Sequence, residues 1–102
     1  MPCIVFNVIC PQAQYVQVTS GTCASNGHAD ITSSTGCASA AQALGLADTT
    51  VTDDGQNGVS YDPPFCYYES KALKYNSHGR NPGPCSSSDK CLCKQSCSAD
   101  EI

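Results

Sequence analysis

The nine cysteines are the residues of this chain with the most evident chemistry. Four of them, from Cys85 to Cys97, lie within thirteen residues, and thiolates this close together can bind zinc or copper. However, the C-x₂-C pairs of zinc knuckles are absent from this sequence, neither histidine lies in the block, and the other five cysteines are spread along the chain. We therefore predict disulfides and no metal centre.

All nine cysteines are disulfide candidates, and their spacing leaves the pairing open. They are Cys3, Cys10, Cys23, Cys37, Cys66, Cys85, Cys91, Cys93 and Cys97. Since the total is odd, at least one thiol is free or is bonded to another chain. We expect six of them to be bridged into the core, namely Cys23, Cys37, Cys66, Cys85, Cys91 and Cys93.

The composition favours a disulfide-stabilised protein outside the cytosol. With two Phe, no Trp and one Met, a core must offset a chain entropy of roughly 1–2 kcal/mol per ordered residue. Each disulfide contributes about 2–4 kcal/mol toward this. Because disulfides persist in oxidising compartments, we predict a secreted or extracellular protein, with an organelle lumen as the alternative.

Charge and hydropathy exclude two classes of partner. The net charge is −4, from five basic and nine acidic residues, and no run of Lys or Arg is present. This balance argues against nucleic acid and against an anionic membrane surface. No apolar segment approaches the ~20 residues that span a bilayer, so we expect no membrane insertion.

Catalysis is not expected, and neither is a cofactor. A nucleophile needs an adjacent base that a third group orients, yet the two histidines, His28 and His78, lie in polar loops that contain glycine. There is no G-x-S-x-G motif. We predict that the protein is not an enzyme and that both histidines are solvated.

An acidic segment could bind calcium, but its spacing is wrong for an EF-hand. Residues 47–62 carry Asp48, Asp53, Asp54 and Asp62, which offer the hard oxygen ligands that calcium prefers. The EF-hand order of ligands and its closing Glu are missing. We predict an exposed and mobile loop rather than a cation site.

A group of tyrosines with nearby polar side chains is the best candidate for a binding surface. Tyrosine rings stack on sugar faces or anchor protein contacts, and amides and charges give direction. In so small a core, however, two or three of these rings could simply be packed. The candidate residues are Tyr61, Tyr67, Tyr68, Tyr75, Lys71, Lys74, Asn76 and Arg80.

The elements that position these residues are a hairpin and a helix. Residues 63–76 predict an extended entry, a strand, a turn at residues 69–71 and a return strand over residues 72–76. Apolar residues at the spacing i, i+3, i+4 and i+7 predict a helix from about Thr35 or Gly36 to Leu44. Further short strands are expected at residues 15–19, at residues 30–32 and in the C-terminal cysteine block. The glycines and prolines of residues 77–84 predict a loop.

We predict an α+β, disulfide-rich domain, with one short helix packed on a small antiparallel sheet with long loops. Residues 1–14 form an apolar N-terminal arm, residues 15–97 the cysteine-rich globular module, and residues 98–102 a polar tail. The arm lacks the basic region of a secretion signal, so we interpret it as part of the folded protein. Its strand residues could pair with a neighbouring subunit's sheet edge; they are Ile4, Val5, Phe6, Val8 and Ile9.

Residues 15–94 resemble a small cysteine-rich module of extracellular algal and protist proteins. The shared motifs are SGTC at 20–23, CxxAAxxLG at 37–45, PPxCYY at 63–68, LxYN at 73–76, CS at 85–86 and CLCK at 91–94. The chain departs from the pattern at Phe65, where glycine is usual, and Cys3, Cys10 and Cys97 lie outside it. Architecturally it is also loosely similar to PAN/apple and WSC modules, which bind protein or carbohydrate.

The resemblance implies no activity, so the leading hypothesis is a non-catalytic extracellular module that contacts carbohydrate or protein. The first alternative is a structural subunit of an extracellular or lumenal assembly, a filament or a complex, that docks through its N-terminal apolar strand. The second alternative is a secreted inhibitor or toxin, which the cysteine density alone favours.

Overall fold

The structure is a computed structural model that describes residues 15–95. Its strands are β1 (Tyr15–Val18), β2 (Ala29–Asp30), β3 (Thr52–Asp53), β4 (Phe65–Glu69), β5 (Ala72–Asn76) and β6 (Asp89–Lys94), and its helix is α1 (Ser34–Ala43). A 3₁₀ turn covers Ala24–Asn26. The predicted N-terminal arm with its strand, the polar tail, Cys3, Cys10 and Cys97 lie outside the described residues. Within residues 15–95, no helix is long and apolar enough to cross a bilayer.

The six strands form one sheet in the order β1-β6-β4-β5-β3, and β2 also pairs with β6. Every pairing is antiparallel except that of β3 with β5, which is parallel. The strand from the cysteine block, β6, therefore holds together β1, β2 and the hairpin. The predicted α+β class, with one helix on a small disulfide-rich sheet, is confirmed.

The helix begins and ends where its sequence predicts. The Ser33 hydroxyl accepts a hydrogen bond from the Gly36 N–H at 3.0 Å, which satisfies one of the free donors of the first turn. Gly45, just beyond the helix, has φ of 70°, a left-handed conformation that glycine adopts without strain. The small buried side chains of Cys37 and Ala40 let α1 lie close to the sheet.

The hairpin β4–β5 also matches its prediction. Its strands pair from Phe65 with Asn76 to Glu69 with Ala72. The two residues of the turn, Ser70 and Lys71, have φ of 51° and 64°, as in the tight turns whose twist matches that of the flanking strands.

The sheet carries a small core on each face, because successive side chains of a strand point to opposite sides. The face against α1 is covered by Ile31, Cys37, Ala40, Ala41, Cys66, Tyr68, Leu73, Tyr75 and Leu92. The other face is covered by loops and includes Val18, Cys23, Cys85, Cys91 and Cys93. Neither core is large, so each depends on covalent bridges.

Three disulfides staple these cores, and they use all six cysteines that were expected to be bridged. Cys37–Cys66 fixes the helix to β4 on one face. Cys23–Cys93 and Cys85–Cys91 close the loops of the other face onto β6. The pairing, which the sequence left open, follows from which loops cover which face.

Most of the acidic segment is exposed, as predicted, but two of its aspartates have fixed positions. Asp48 accepts hydrogen bonds from the backbone N–H groups of Thr50 and Leu73, both at 2.9 Å. Asp62 is only 5% exposed, and β3 lies between them. Hydrogen bonds of Asp48 and Asp62, which the polar composition does not show, hold these two positions of the segment in place.

Candidate functional site

A surface groove lies at the end of the sheet where two turns meet. Its volume is about 320 Å³, and its walls are formed by Tyr68, Ser70, Lys71, Ser87, Ser88 and Lys90. Two of these residues belong to the β4–β5 turn, and three come from the start of β6 and the turn before it. Backbone and hydroxyl hydrogen bonds between Ser86 and Asp89 shape this second turn.

The groove combines two ammonium groups, three hydroxyls and one aromatic ring. Lys90 stands opposite Tyr68 in the β4–β6 register, so both lie on the helix side of the sheet. The Tyr68 hydroxyl accepts a hydrogen bond from the Asp48 N–H at 3.2 Å, which orients the ring. Lys71 and the two serines at the turn are exposed. Such a set can bind an anionic group through charge and hydroxyls.

The structure divides the predicted binding residues into two groups. Tyr67, Tyr75 and Asn76 are buried, and Tyr68 shows only its edge to the groove. Of the other residues, Tyr61 is 71% exposed, Arg80 is exposed, and Lys74 is half-buried beside Glu69. The buried tyrosines therefore pack the core, which was one of the two interpretations that the sequence allowed. Any contact with a binding partner must use the exposed residues.

Opposite the groove, on the loop-covered side of the sheet, three carboxylates converge. Glu69 and Asp89 are register partners at the ends of β4 and β6, and Asp62 comes from the loop before β4. One carboxylate oxygen from each lies within 4.8 Å of the others. Lys74 Nζ lies 3.6 Å from Glu69 Oε1 and is the nearby cation. We call these three residues the acidic cluster.

Within the acidic cluster, the carboxyl of Asp89 is harder to ionise than an exposed aspartate. It is 8% exposed, and burial, followed by its contact with Glu69 and the charge of Asp62, raises the pKa of its carboxyl to about 6, while Lys74 opposes this. Burial, and then the hydrogen bond that its hydroxyl donates to Asp54, likewise raise the pKa of Tyr67 well above its usual value. The surroundings of Asp89 and of Tyr67 therefore disfavour the ionised form of each side chain.

We expect Asp89 to make the protein less stable as the pH rises from about 4 to about 6 in buffer free of divalent cations. Its pKa is raised from 3.8 to about 6 on folding, so the native state binds more protons than the unfolded chain in that window. The free energy of unfolding then falls with pH. Urea unfolding across this range should show the decline in the wild type and a smaller decline in Asp89→Asn, in which Asp30, whose pKa burial also raises, still contributes. An equal slope in both proteins would contradict the assignment.

A buried amide network holds Asp62 in the acidic cluster. Gln56 Nε2 donates to Asp62 Oδ2 at 2.7 Å, and Gln56 Oε1 accepts from the side-chain amides of Asn76 and Asn81, both at 3.0 Å. Gly83 packs against the Asp62 backbone, where an added Cβ would collide. The loop before β4 is therefore fixed by polar contacts rather than by apolar packing.

The four aspartates considered for calcium do not come together. Asp48 is occupied by backbone N–H groups, Asp53 accepts from the Gly55 N–H at 2.9 Å, and Asp54 accepts from the Tyr67 hydroxyl. Only Asp62 joins other carboxylates. Its partners, Glu69 and Asp89, could not be predicted from the spacing of the acidic segment, because the pairing of β4 with β6 brings them together.

One histidine also differs from its prediction. His28 is half-buried, and its Nδ1 is buried with no hydrogen bond seen within residues 15–95, so the prediction that it is solvated was wrong. His78 is exposed, as expected. The prediction that the protein is not an enzyme stays a prediction.

The groove residues Ser70, Ser87, Ser88 and Lys90 were also missed. The turn after β4 and the turn before β6 were a possible signal for these residues. Only the strand pairing shows that the two turns meet. Residues 70–88, which include all of β5, separate β4 from β6 in the sequence, and this explains why inspection of neighbouring residues did not find the groove. Comparisons with protein-family models, with curated proteins and with solved structures each found no match to this chain.

Proposed function

We propose that this protein is a non-catalytic extracellular interaction module that holds acidic groups of a carbohydrate in its groove. The observation that carries the proposal is the placement of Lys71 and Lys90 beside three serine hydroxyls at one end of the sheet. On a chain with net charge −4 and only five basic residues, two of them line this groove. The local charge is therefore opposite to that of the whole protein.

Carbohydrate is favoured over other anions by the mixture of groups. A sulfated or carboxylated sugar offers one charge for an ammonium group, hydroxyls for the serines, and an apolar face for an aromatic edge. Tyr68 provides that edge and is held by Asp48. Exposed Tyr61 offers a second ring for contact outside the groove.

An oxidising environment is supported by the three disulfides, because such bridges are reduced in the cytosol. This supports a non-cytosolic protein, and the proposed location is the extracellular space. Acidic glycans of extracellular matrices and cell surfaces would be accessible to it there.

We expect the protein to bind sulfated or carboxylated oligosaccharides on a glycan array, and neutral sugars weakly or not at all. The double variant Lys71→Ser/Lys90→Ser should weaken binding by more than about tenfold, since each lost charged hydrogen bond typically costs about 1.5–3 kcal/mol. The matched control is Lys94→Ser, which removes an exposed charge from the same strand outside the groove. Calorimetry on the full chain measures all three proteins.

Two results would contradict the proposal. One is no binding of any acidic glycan by the wild type. The other is equal loss of binding in the groove variant and in Lys94→Ser, which would show general charge attraction rather than a site.

A second function, subunit of an extracellular assembly, is supported by the position of β1. This strand is at one end of the sheet order and directly follows the N-terminal arm. Among the described residues, no strand pairs with its outer edge, so it could accept a strand from a neighbouring subunit. Oligomers in gel filtration that disappear when residues 1–14 are deleted would support this function. A monomer in both cases would exclude it.

A further inference from the structure

The acidic cluster has a second property besides the convergence of its three carboxylates. Asp89 is more than nine-tenths buried, and its Oδ1 has no hydrogen-bond partner within the described residues. A buried carboxylate oxygen without a partner is costly, since its lost hydration is not replaced. Its neighbours within the cluster are two further carboxylates, which accept and do not donate when ionised. When all three carboxylates are ionised, as they are well above pH 6, a cation is the group that would satisfy this oxygen.

The protein does not supply that cation itself. Lys74 Nζ contacts Glu69 at 3.6 Å, with both side chains about one-third exposed, and this pair lies at the outer side of the cluster. One ammonium does not balance three carboxylates, and it makes no hydrogen bond to Asp89 Oδ1. The inner part of the cluster is left with excess negative charge.

The cluster is also held in advance of any binding event. Glu69 and Asp89 are fixed by the β4–β6 register, and Asp62 is fixed by Gln56 and by the close approach of Gly83. Three oxygen ligands from three segments are thus placed by a sheet and a polar network rather than by a flexible loop. Preorganisation of this kind reduces the cost of ordering ligands on binding.

We propose that Asp62, Glu69 and Asp89 form a binding site for a calcium ion. The site has only hard carboxylate oxygens, which select calcium or magnesium over softer metals. The remaining coordination positions would be filled by water on the exposed side of Glu69. Calcium accepts such irregular sets of six to eight oxygens more readily than magnesium, which requires a near-octahedral shell.

This site goes beyond the proposed carbohydrate contact, and it lies on the other side of the sheet from the groove. The two are nevertheless adjacent along the strands, because Glu69 precedes the turn residue Ser70, and Asp89 precedes Lys90. A bound ion would clamp β4 to β6 at the end where the groove opens.

Binding can be tested on the full chain after removal of metal with a chelator. We expect calorimetry with calcium chloride to give a dissociation constant on the order of 10⁻⁴ to 10⁻³ M, the range of extracellular calcium modules. Terbium, used as a luminescent substitute for calcium, should be excited through tyrosine, because Tyr67 lies two residues from Glu69 on β4 and on the same face of the sheet. Calcium should also raise the melting temperature, since it binds the folded state.

The decisive variants replace one ligand at a time with its amide. Asp89→Asn should weaken calcium binding by more than about tenfold, at least the loss seen when groups supporting a metal ligand are removed. Glu69→Gln, at a partly exposed position, is the second variant should Asp89→Asn not fold. The matched control, Asp53→Asn, removes the same charge from an exposed aspartate outside the cluster and should bind as the wild type does.

The proposal would be overturned by no heat and no tyrosine-excited terbium luminescence in the wild type. It would equally be overturned if Glu69→Gln and Asp89→Asn bound calcium as tightly as the wild type. Loss of binding in Asp53→Asn to the same degree would place the ion elsewhere and would also refute the site.

Discussion

The double variant Cys23→Ala/Cys93→Ala should lose about 4 kcal/mol of folding free energy, the largest effect that we expect from any one bridge. These two cysteines are 70 residues apart, so their bond restricts a long loop of the unfolded chain. In the chain-entropy model a disulfide stabilises more when its loop is longer. Urea unfolding, with the slope checked for a change in the unfolded state, measures the loss.

The control is the matched pair Cys85→Ala/Cys91→Ala. All four cysteines belong to the same core and are buried to a similar degree, so the cavities left by alanine are comparable. The second bridge closes only 6 residues, for which the same model gives about 2 kcal/mol. Equal losses, or a larger loss for Cys85 and Cys91, would contradict the entropic account of how this small domain is stabilised.

Gln56→Ala should destabilise the protein by about 3 kcal/mol, although Gln56 itself is only half-buried. Its side chain bonds to three buried groups, those of Asp62, Asn76 and Asn81. A buried polar group that loses its partner costs about 1–3 kcal/mol. Because Asp62 would also lose its anchor, calcium binding should weaken together with stability.

The control for this prediction is Gln42→Ala, which truncates the same side chain at an exposed position of α1. Alanine has the higher helix propensity, so this variant should unfold at the same urea concentration as the wild type or slightly above it. If Gln56→Ala unfolded at the same concentration as Gln42→Ala, the amide network would not contribute to stability, and the account of how the acidic cluster is held would be wrong.

The hairpin and the helix could be predicted because their determinants are local. Alternation of side chains over residues 65–76, with a two-residue turn between strands, specifies β4 and β5 without reference to the rest of the chain. The helix has its own start and stop at Ser33 and Gly45. Each element also has a cysteine on its buried face, Cys37 on α1 and Cys66 on β4. The disulfide between these two cysteines therefore agrees with the side-chain periodicity of both elements.

The groove and the acidic cluster could not be predicted because they depend on pairing between distant segments. Glu69 and Asp89 meet only when β4 pairs with β6. Nothing in their spacing indicates which strands are neighbours. The polar residues 47–62 were interpreted by composition as a mobile loop, whereas Asp48 and Asp62 are fixed by contacts with residues 6–25 positions away.

Phe65 has a backbone conformation that is rare for a bulky residue. Its φ is 61°, in the left-handed region that favours glycine and that is strained for a bulky residue. Here the ring packs over Gly79, where an added Cβ would collide with it, and lies 6.4 Å from the Tyr75 ring centroid. These contacts offset the strain.

The fold depends on the pairing of six cysteines, which staples two small cores onto the faces of one sheet. Peptide mapping by mass spectrometry, on protein alkylated before reduction, tests it most directly. Combined cleavage after Tyr15, before Asp30 and Asp48, and after Lys71, Lys90, Leu92 and Lys94 places each of the six cysteines on its own peptide, so every pairing among them can be distinguished.

We predict cross-linked peptides that join Cys23 to Cys93, Cys37 to Cys66, and Cys85 to Cys91, with none of these six residues alkylated before reduction. A free thiol at any of them, or a cross-link between cysteines of the two different cores, would contradict the account.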